Sequence, residues 1–128
     1  WDGFVDAVGG SSSAAANPET ASCVEVWTER DGAIAALARL YAIESAQPAI
    51  SETKLDGLRD HYGIADGDGT RYFTVHRGRD VEHAAEGREL LASLIETRDD
   101  EDVAVAAAER AYAANWKLLD GVEDDRPA

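Results

Sequence analysis

Basic residues, proline and cysteine are all scarce in this sequence, and each shortage excludes something. Only 12 Lys and Arg stand against 26 Asp and Glu, a formal charge of −14 over 128 residues. A surface that acidic repels phosphate backbones and anionic lipid alike, which argues against nucleic acid and membrane surfaces as partners. Cys23 is the single cysteine. No internal disulfide can form, and the composition fits a reducing, cytoplasmic compartment. No apolar run approaches the roughly 18 residues that span a bilayer. No basic-then-apolar secretory leader opens the chain.

Among the 12 basic residues ten are Arg and two are Lys, Lys54 and Lys117. An acidic excess with so little lysine resembles the proteins of salt-accumulating microbes. Crowded carboxylates stay hydrated in concentrated salt, and screening removes their mutual repulsion.

The length fits one domain with a single core, or part of a larger one. Alanine occurs 24 times and proline three times. Apolar residues recur at three- and four-residue steps, so the expected class is all-α, a helical bundle of four to five helices. Trp1–Val8 reads as a helix end stopped by Gly9-Gly10, and Ser11–Ala16 as a linker. Asn17-Pro18 is a capped start for a helix to about Arg30, with Val24 and Trp27 inward. A long helix is expected from about Asp31 to Tyr62, with Ile34, Leu37, Leu40 and Tyr41 as its stripe, a kink at Pro48 and a stop at Gly63. After a loop over 65–70, a helix from Arg71 to about Glu96 carries Phe73, Leu90, Leu91, Leu94 and Ile95. Asp99 or Asp100 caps the last helix, which carries Val103, Ala107, Ala111, Tyr112, Trp116 and Leu119 and stops at Gly121. Residues 121–128 read as a frayed acidic tail.

The chemistry concentrates in Tyr72-Phe73-Thr74-Val75-His76-Arg77-Gly78-Arg79-Asp80-Val81-Glu82-His83. His76, Asp80 and His83 follow i, i+4, i+7 spacing, which puts all three on one helix face in line with Phe73. Two imidazoles and a carboxylate on an inward stripe need partners, and a divalent metal satisfies all three together. Iron, manganese and zinc all accept that donor set. The alternative is a solvated or salt-bridged face. Glu44 lies on the apolar stripe of the preceding helix, and Pro48 removes the N–H that would bond the Glu44 carbonyl. Its carboxylate is either a fourth ligand or the partner of an arginine such as Arg39 or Arg110. Four ligands, Glu44, His76, Asp80 and His83, fit one metal or an incomplete pair, since two-metal bundle sites use about six.

Other residues carry weaker signals. Cys23 has no activating histidine near it and reads as a packed small residue. His61 sits where it can meet a helix dipole. Trp27, Tyr72, Tyr112 and Trp116 read as core. Gly67-x-Gly69 follows no strand and is not a phosphate cradle.

Three stretches occur in order: Tyr-Ala-Ile-Glu-Ser-Ala-Gln-Pro at 41–48, Lys54 with Leu-Asp-Gly-Leu-Arg-Asp-His-Tyr-Gly at 55–63, and the 72–83 run. With the interval from Glu44 to His76, they closely resemble the heme-oxygenase-like di-metal oxidases. The likeness is greatest to the chlamydial death-domain-associating protein and its relatives, and more distant to the pyrroloquinoline-quinone synthases and the TENA/THI-4 proteins. It covers nearly the whole chain, with Trp1–Gly10 resembling the helix end after the family's first ligand pair. The resemblance implies the C-terminal part of a larger bundle that holds two irons, or iron with manganese, and activates O2. It implies Glu44, His76, Asp80 and His83 as four of six ligands, the other Glu and His lying upstream of Trp1. Lys54 matches a lysine proposed to give up its nitrogen in the para-aminobenzoate-forming branch.

The expected function is therefore a non-heme di-metal oxidase or oxygenase acting on a small molecule. A metal-free cofactor protein like the quinone synthases or TENA proteins, and a non-catalytic helical interaction module, are the alternatives. An apolar seam facing the missing helices would favour a homo-oligomer.

Overall fold

The computed structural model describes residues 1–125, all helix and connecting loop: α1 (Asp2–Ala7), α2 (Pro18–Trp27), α3 (Ala33–Glu44), α4 (Gln47–Tyr62), α5 (Arg71–Leu94) and α6 (Arg98–Asp124). Five helices of ten residues or more and one short N-terminal helix match the all-α expectation. They fall into two compact units. One comprises Trp1–Ala14 and Glu44–Ala84, the other Ala15–Ile43 and the chain from Ala85 onward.

The helix ends follow local chemistry. Asn17 caps α2 by accepting from the Thr20 N–H at 2.8 Å, with Pro18 at the first helical position. Gly63 ends α4 in the left-handed region at φ +67°, where a Cβ is penalised. α6 begins at Thr97, not at an aspartate. The Thr97 hydroxyl accepts from the Asp100 N–H, and the Asp100 carboxylate accepts from the Thr97 N–H at 2.9 Å. This reciprocal pair satisfies two otherwise unbonded donors.

Two further boundaries differ from the sequence reading. The long helix over 31–62 is two helices: α3 ends at Glu44 and α4 starts at Gln47 with Pro48 in its first turn. Proline is better tolerated there than at a mid-helix kink, because first-turn N–H groups have no intrahelical partner. α6 continues through Gly121 to Asp124. Gly121 is needed there for space: a Cβ would come within 2.7 Å of the Glu19 Cβ, so α2 and α6 approach closely at that point. Of the expected frayed tail, residues 126–128 lie outside the described residues.

The second unit has an alanine core. Ala35 and Ala38 of α3 meet Ala104 and Ala107 of α6, with Ile34, Leu91 and Ile95 packed around them. Ile34, Leu91 and Ile95 were expected inside and pack there, but several other large apolar residues expected inside face out. Val24, Leu40, Leu90, Leu94, Val103, Tyr112 and Leu119 are exposed, and Trp116 is 70 % exposed. Small side chains let helices pack closely, which turns the bulky stripe outward. Tyr112 still donates its hydroxyl to the Ala42 carbonyl at 2.8 Å.

Arg39 is the largest fully buried side chain, 2 % exposed. Asp31 clamps it through two bonds of 2.6 and 2.7 Å, and the Glu29 carbonyl accepts a third at 3.2 Å. Arg110 reaches the same two acids at 2.8 and 3.0 Å. Both arginines offered as partners for Glu44 are thereby committed elsewhere. The Arg39 bond, ahead of the opposing effect of burial, holds the Asp31 carboxyl at about 2.

Candidate metal centre

The first unit holds the residues singled out on chemical grounds. α5 presents Phe73 and Asp80 to its interior, one face of a helix whose other residues there (Arg77, Arg79 and Glu82) meet water. Glu44 arrives from the end of α3. One ligand atom each from Glu44, Asp80 and His83 lies within 4.8 Å of the others. The His83 Nδ1 stands 3.8 Å from the Glu44 Oε1 and 3.9 Å from the Asp80 Oδ1.

Those separations are too long for hydrogen bonds. Asp80 is only 3 % exposed, and among the described residues no donor reaches its carboxylate within hydrogen-bond range. A buried carboxylate is normally bonded or paired. A cation about 2.0–2.2 Å from each donor spans gaps that protein hydrogen bonds leave open. The donor set therefore fits a metal. Asp80 and His83 also have the i, i+3 acid–histidine spacing used by di-metal helix bundles. Burial raises the Glu44 carboxyl above its ordinary value and the neighbouring Asp80 charge adds to it, opposed by His83 and His76.

His83 is less enclosed than its place on the stripe suggests. It is 47 % exposed beside Asp80 at 4 % and Glu44 at 22 %, so the cluster is open on its His83 side. His76 lies outside the three-residue group. Its ring stacks on Tyr72 with centroids 4.0 Å apart, and its Nδ1–H donates to the Tyr72 carbonyl at 2.7 Å. A carbonyl only accepts, so Nδ1 carries a proton, and in the neutral ring this leaves the Nε2 lone pair for a metal, the arrangement of a ligating histidine. Tyr72 was read from the sequence as core. Its i, i+4 relation to His76 was the available signal for the stack.

Lys54 is exposed on α4 and does not enter the cluster. It lines a separate groove of about 480 Å³ with Trp1, Phe4, Leu58 and Phe73. Cys23 is buried, as expected of a packed thiol.

An all-α protein whose helices bring two carboxylates and a histidine together around a gap is of the class that builds metal centres from helix side chains. The profile of the iron-containing redox enzymes matches residues 3–116. The chain belongs to that family, and its fold is of the heme-oxygenase-like type. Three curated relatives are named 4-aminobenzoate synthase. That of Nitrosomonas europaea is 33 % identical over 98 % of this chain and 54 % of its own length. That of Chlamydia muridarum is 33 % identical over 94 % and 53 %. That of Chlamydia trachomatis serovar D is 31 % identical over 97 % and 56 %. The chain thus spans about half the length of the curated relatives it matches. Among the described residues no helix is long and apolar enough to cross a membrane.

Proposed function

We propose that this chain contributes Glu44, His76, Asp80 and His83 to a di-iron or iron–manganese centre of an O2-dependent oxidase that forms 4-aminobenzoate. The convergence of Glu44, Asp80 and His83, in a member of an iron-containing redox family, carries the reading. The names of the relatives suggest the product. When bound, the metals would supply the redox chemistry on O2. The chain's own residues have separate tasks. Glu44 and Asp80 balance the cation charge in a partly dry site. His76 is fixed in one tautomer by the Tyr72 carbonyl. The open His83 side gives small molecules access. Lys54 is the nitrogen donor in this reading.

The centre would draw its remaining ligands from polypeptide outside residues 1–128, in which case the chain is the C-terminal part of a larger bundle, or from a second copy of the chain. Its setting would be cytoplasmic, supported by the single cysteine.

The test is metal analysis after anaerobic loading with ferrous iron. Near-stoichiometric iron that falls severalfold in Asp80→Asn and in His83→Ala, with helix content unchanged, supports the ligand assignment. Iron content equal to wild type in both variants refutes it.

A further inference from the structure

Ser51 is fully enclosed by the fold and left without a partner. It is 0 % exposed, and among the described residues its hydroxyl makes no hydrogen bond. A hydroxyl inside a helix either meets water or returns to a carbonyl about one turn back. Thr53 of the same helix and Ser93 of α5 return to the Ala49 and Leu90 carbonyls. Ser51 does neither, so the cost of burying its hydroxyl is offset by nothing in α4.

An acceptor lies at its own level. The buried residues of α4 are Ser51 and Leu58, and those of α5 are Phe73 and Asp80. Leu58 and Phe73 line one groove, which sets the register of the two helices. Glu44, just before α4, reaches Asp80 and His83, so α4 starts beside that stretch of α5 and the helices run antiparallel. The step from Leu58 to Ser51 and the step from Phe73 to Asp80 both lead away from the connection over 63–70, each by about 10 Å of helix rise. Both end within the same compact unit. A buried donor without an acceptor and a buried carboxylate without a donor thus occupy one level of the helix pair.

We propose that Ser51 is a positioning residue of the candidate centre, its hydroxyl supporting the Asp80 carboxylate directly or through one enclosed water. The proposal rests on the metal site put forward above. A carboxylate that gives one oxygen to a cation keeps acceptor capacity on the other, and a hydrogen bond there fixes which oxygen faces the metal. Serine has a single torsion between its Cα and its hydroxyl oxygen, so turning toward the carboxylate moves no backbone.

The experiment compares Ser51→Ala, Ser51→Thr and Ser51→Val in the purified chain, by anaerobic titration with ferrous iron against a chelator and by melting after chelator treatment. Ser51→Ala should weaken iron binding about tenfold, as loss of support behind a ligand does. Its metal-free melting temperature should stay level or rise, because the hydroxyl removed had no partner. Thr and Val have nearly the same shape and only Thr donates, so Ser51→Thr should hold iron more tightly than Ser51→Val. On an Asp80→Asn background, Ser51→Ala should add little further loss. Equal iron affinity in Ser51→Ala and wild type, or in the Thr and Val variants, overturns the proposal. So does a full tenfold loss on the Asp80→Asn background, or a metal-free melting temperature that falls together with iron affinity. Iron binding that responds to Asp80→Asn and not to Ser51→Ala rejects the Ser51 role alone. Binding that responds to neither rejects the centre as well.

Discussion

The ring of His76 lies against the ring of Tyr72 one helical turn before it, 4.0 Å between centroids and 29° between planes, while its Nδ1–H is held by the Tyr72 carbonyl. One residue therefore fixes both the tautomer and the tilt of the imidazole. Supports of this kind typically alter metal affinity 10- to 100-fold when removed. Tyr72→Ala keeps the main-chain carbonyl and removes only the stack, so it should weaken iron binding severalfold, less than loss of both supports would, whereas Tyr72→Phe keeps both and should leave it near wild type. Competition titration against a coloured chelator measures both. Equal weakening by the two variants would assign the effect to the hydroxyl instead.

Glu44 gives a prediction of opposite signs. Its carboxyl is raised by burial first and by Asp80 second. In chelator-treated protein, a raised carboxyl contributes most stability below its ordinary value and loses that contribution as pH rises through the raised one. At pH 7 the charged form is therefore a liability without metal. Glu44→Gln should raise the melting temperature of the metal-free protein and lower its iron content. A lower melting temperature at pH 7 would contradict this account of the site.

The Arg39 clamp makes the second unit sensitive to acid. Asp31 is held at about 2, below its ordinary value, chiefly by its bond to Arg39. The sign is that of a depressed carboxyl: stability is present above the unfolded value and disappears as pH falls toward about 2. Asp31→Asn should flatten that part of the acid-unfolding curve. Arg39→Ala should cost on the order of 3 kcal/mol, because it leaves a buried void and removes the guanidinium bonds, although Arg110 still pairs with both acids, Asp31 and Glu29. Urea melts at pH 7 and pH 3 separate the two effects.

The surplus of acid over base predicts salt-dependent folding. Screening should relieve repulsion among exposed carboxylates, so the melting temperature should climb from dilute buffer to molar KCl. A higher melting temperature in dilute buffer would identify the acidity as an ordinary solubilising surface.

The all-α class, the Asn17-Pro18 start and the Gly63 stop were legible in the sequence, because each depends on neighbours a few residues away. So was the pairing of Asp80 with His83, which helical spacing alone dictates. Packing was not legible. Periodicity selected the bulky residues Leu40, Val103 and Trp116 for the interior, yet the buried face of those helices is alanine. Hydrophobic pattern ranks residues by size and polarity, while interhelical distance decides which size fits. The Arg39–Asp31 clamp stayed hidden because a buried charge looks like a surface charge until its partner is known. The approach of Glu44 to α5 depended on where the chain breaks after it, and the sequence offered Pro48 as a kink when it is a start.

The alanine interior has a thermal consequence. Methyl groups remove little apolar area from water per residue, and the heat-capacity change of unfolding scales with that area. A shallow stability curve follows, with cold and heat transitions far apart and a broad plateau between them.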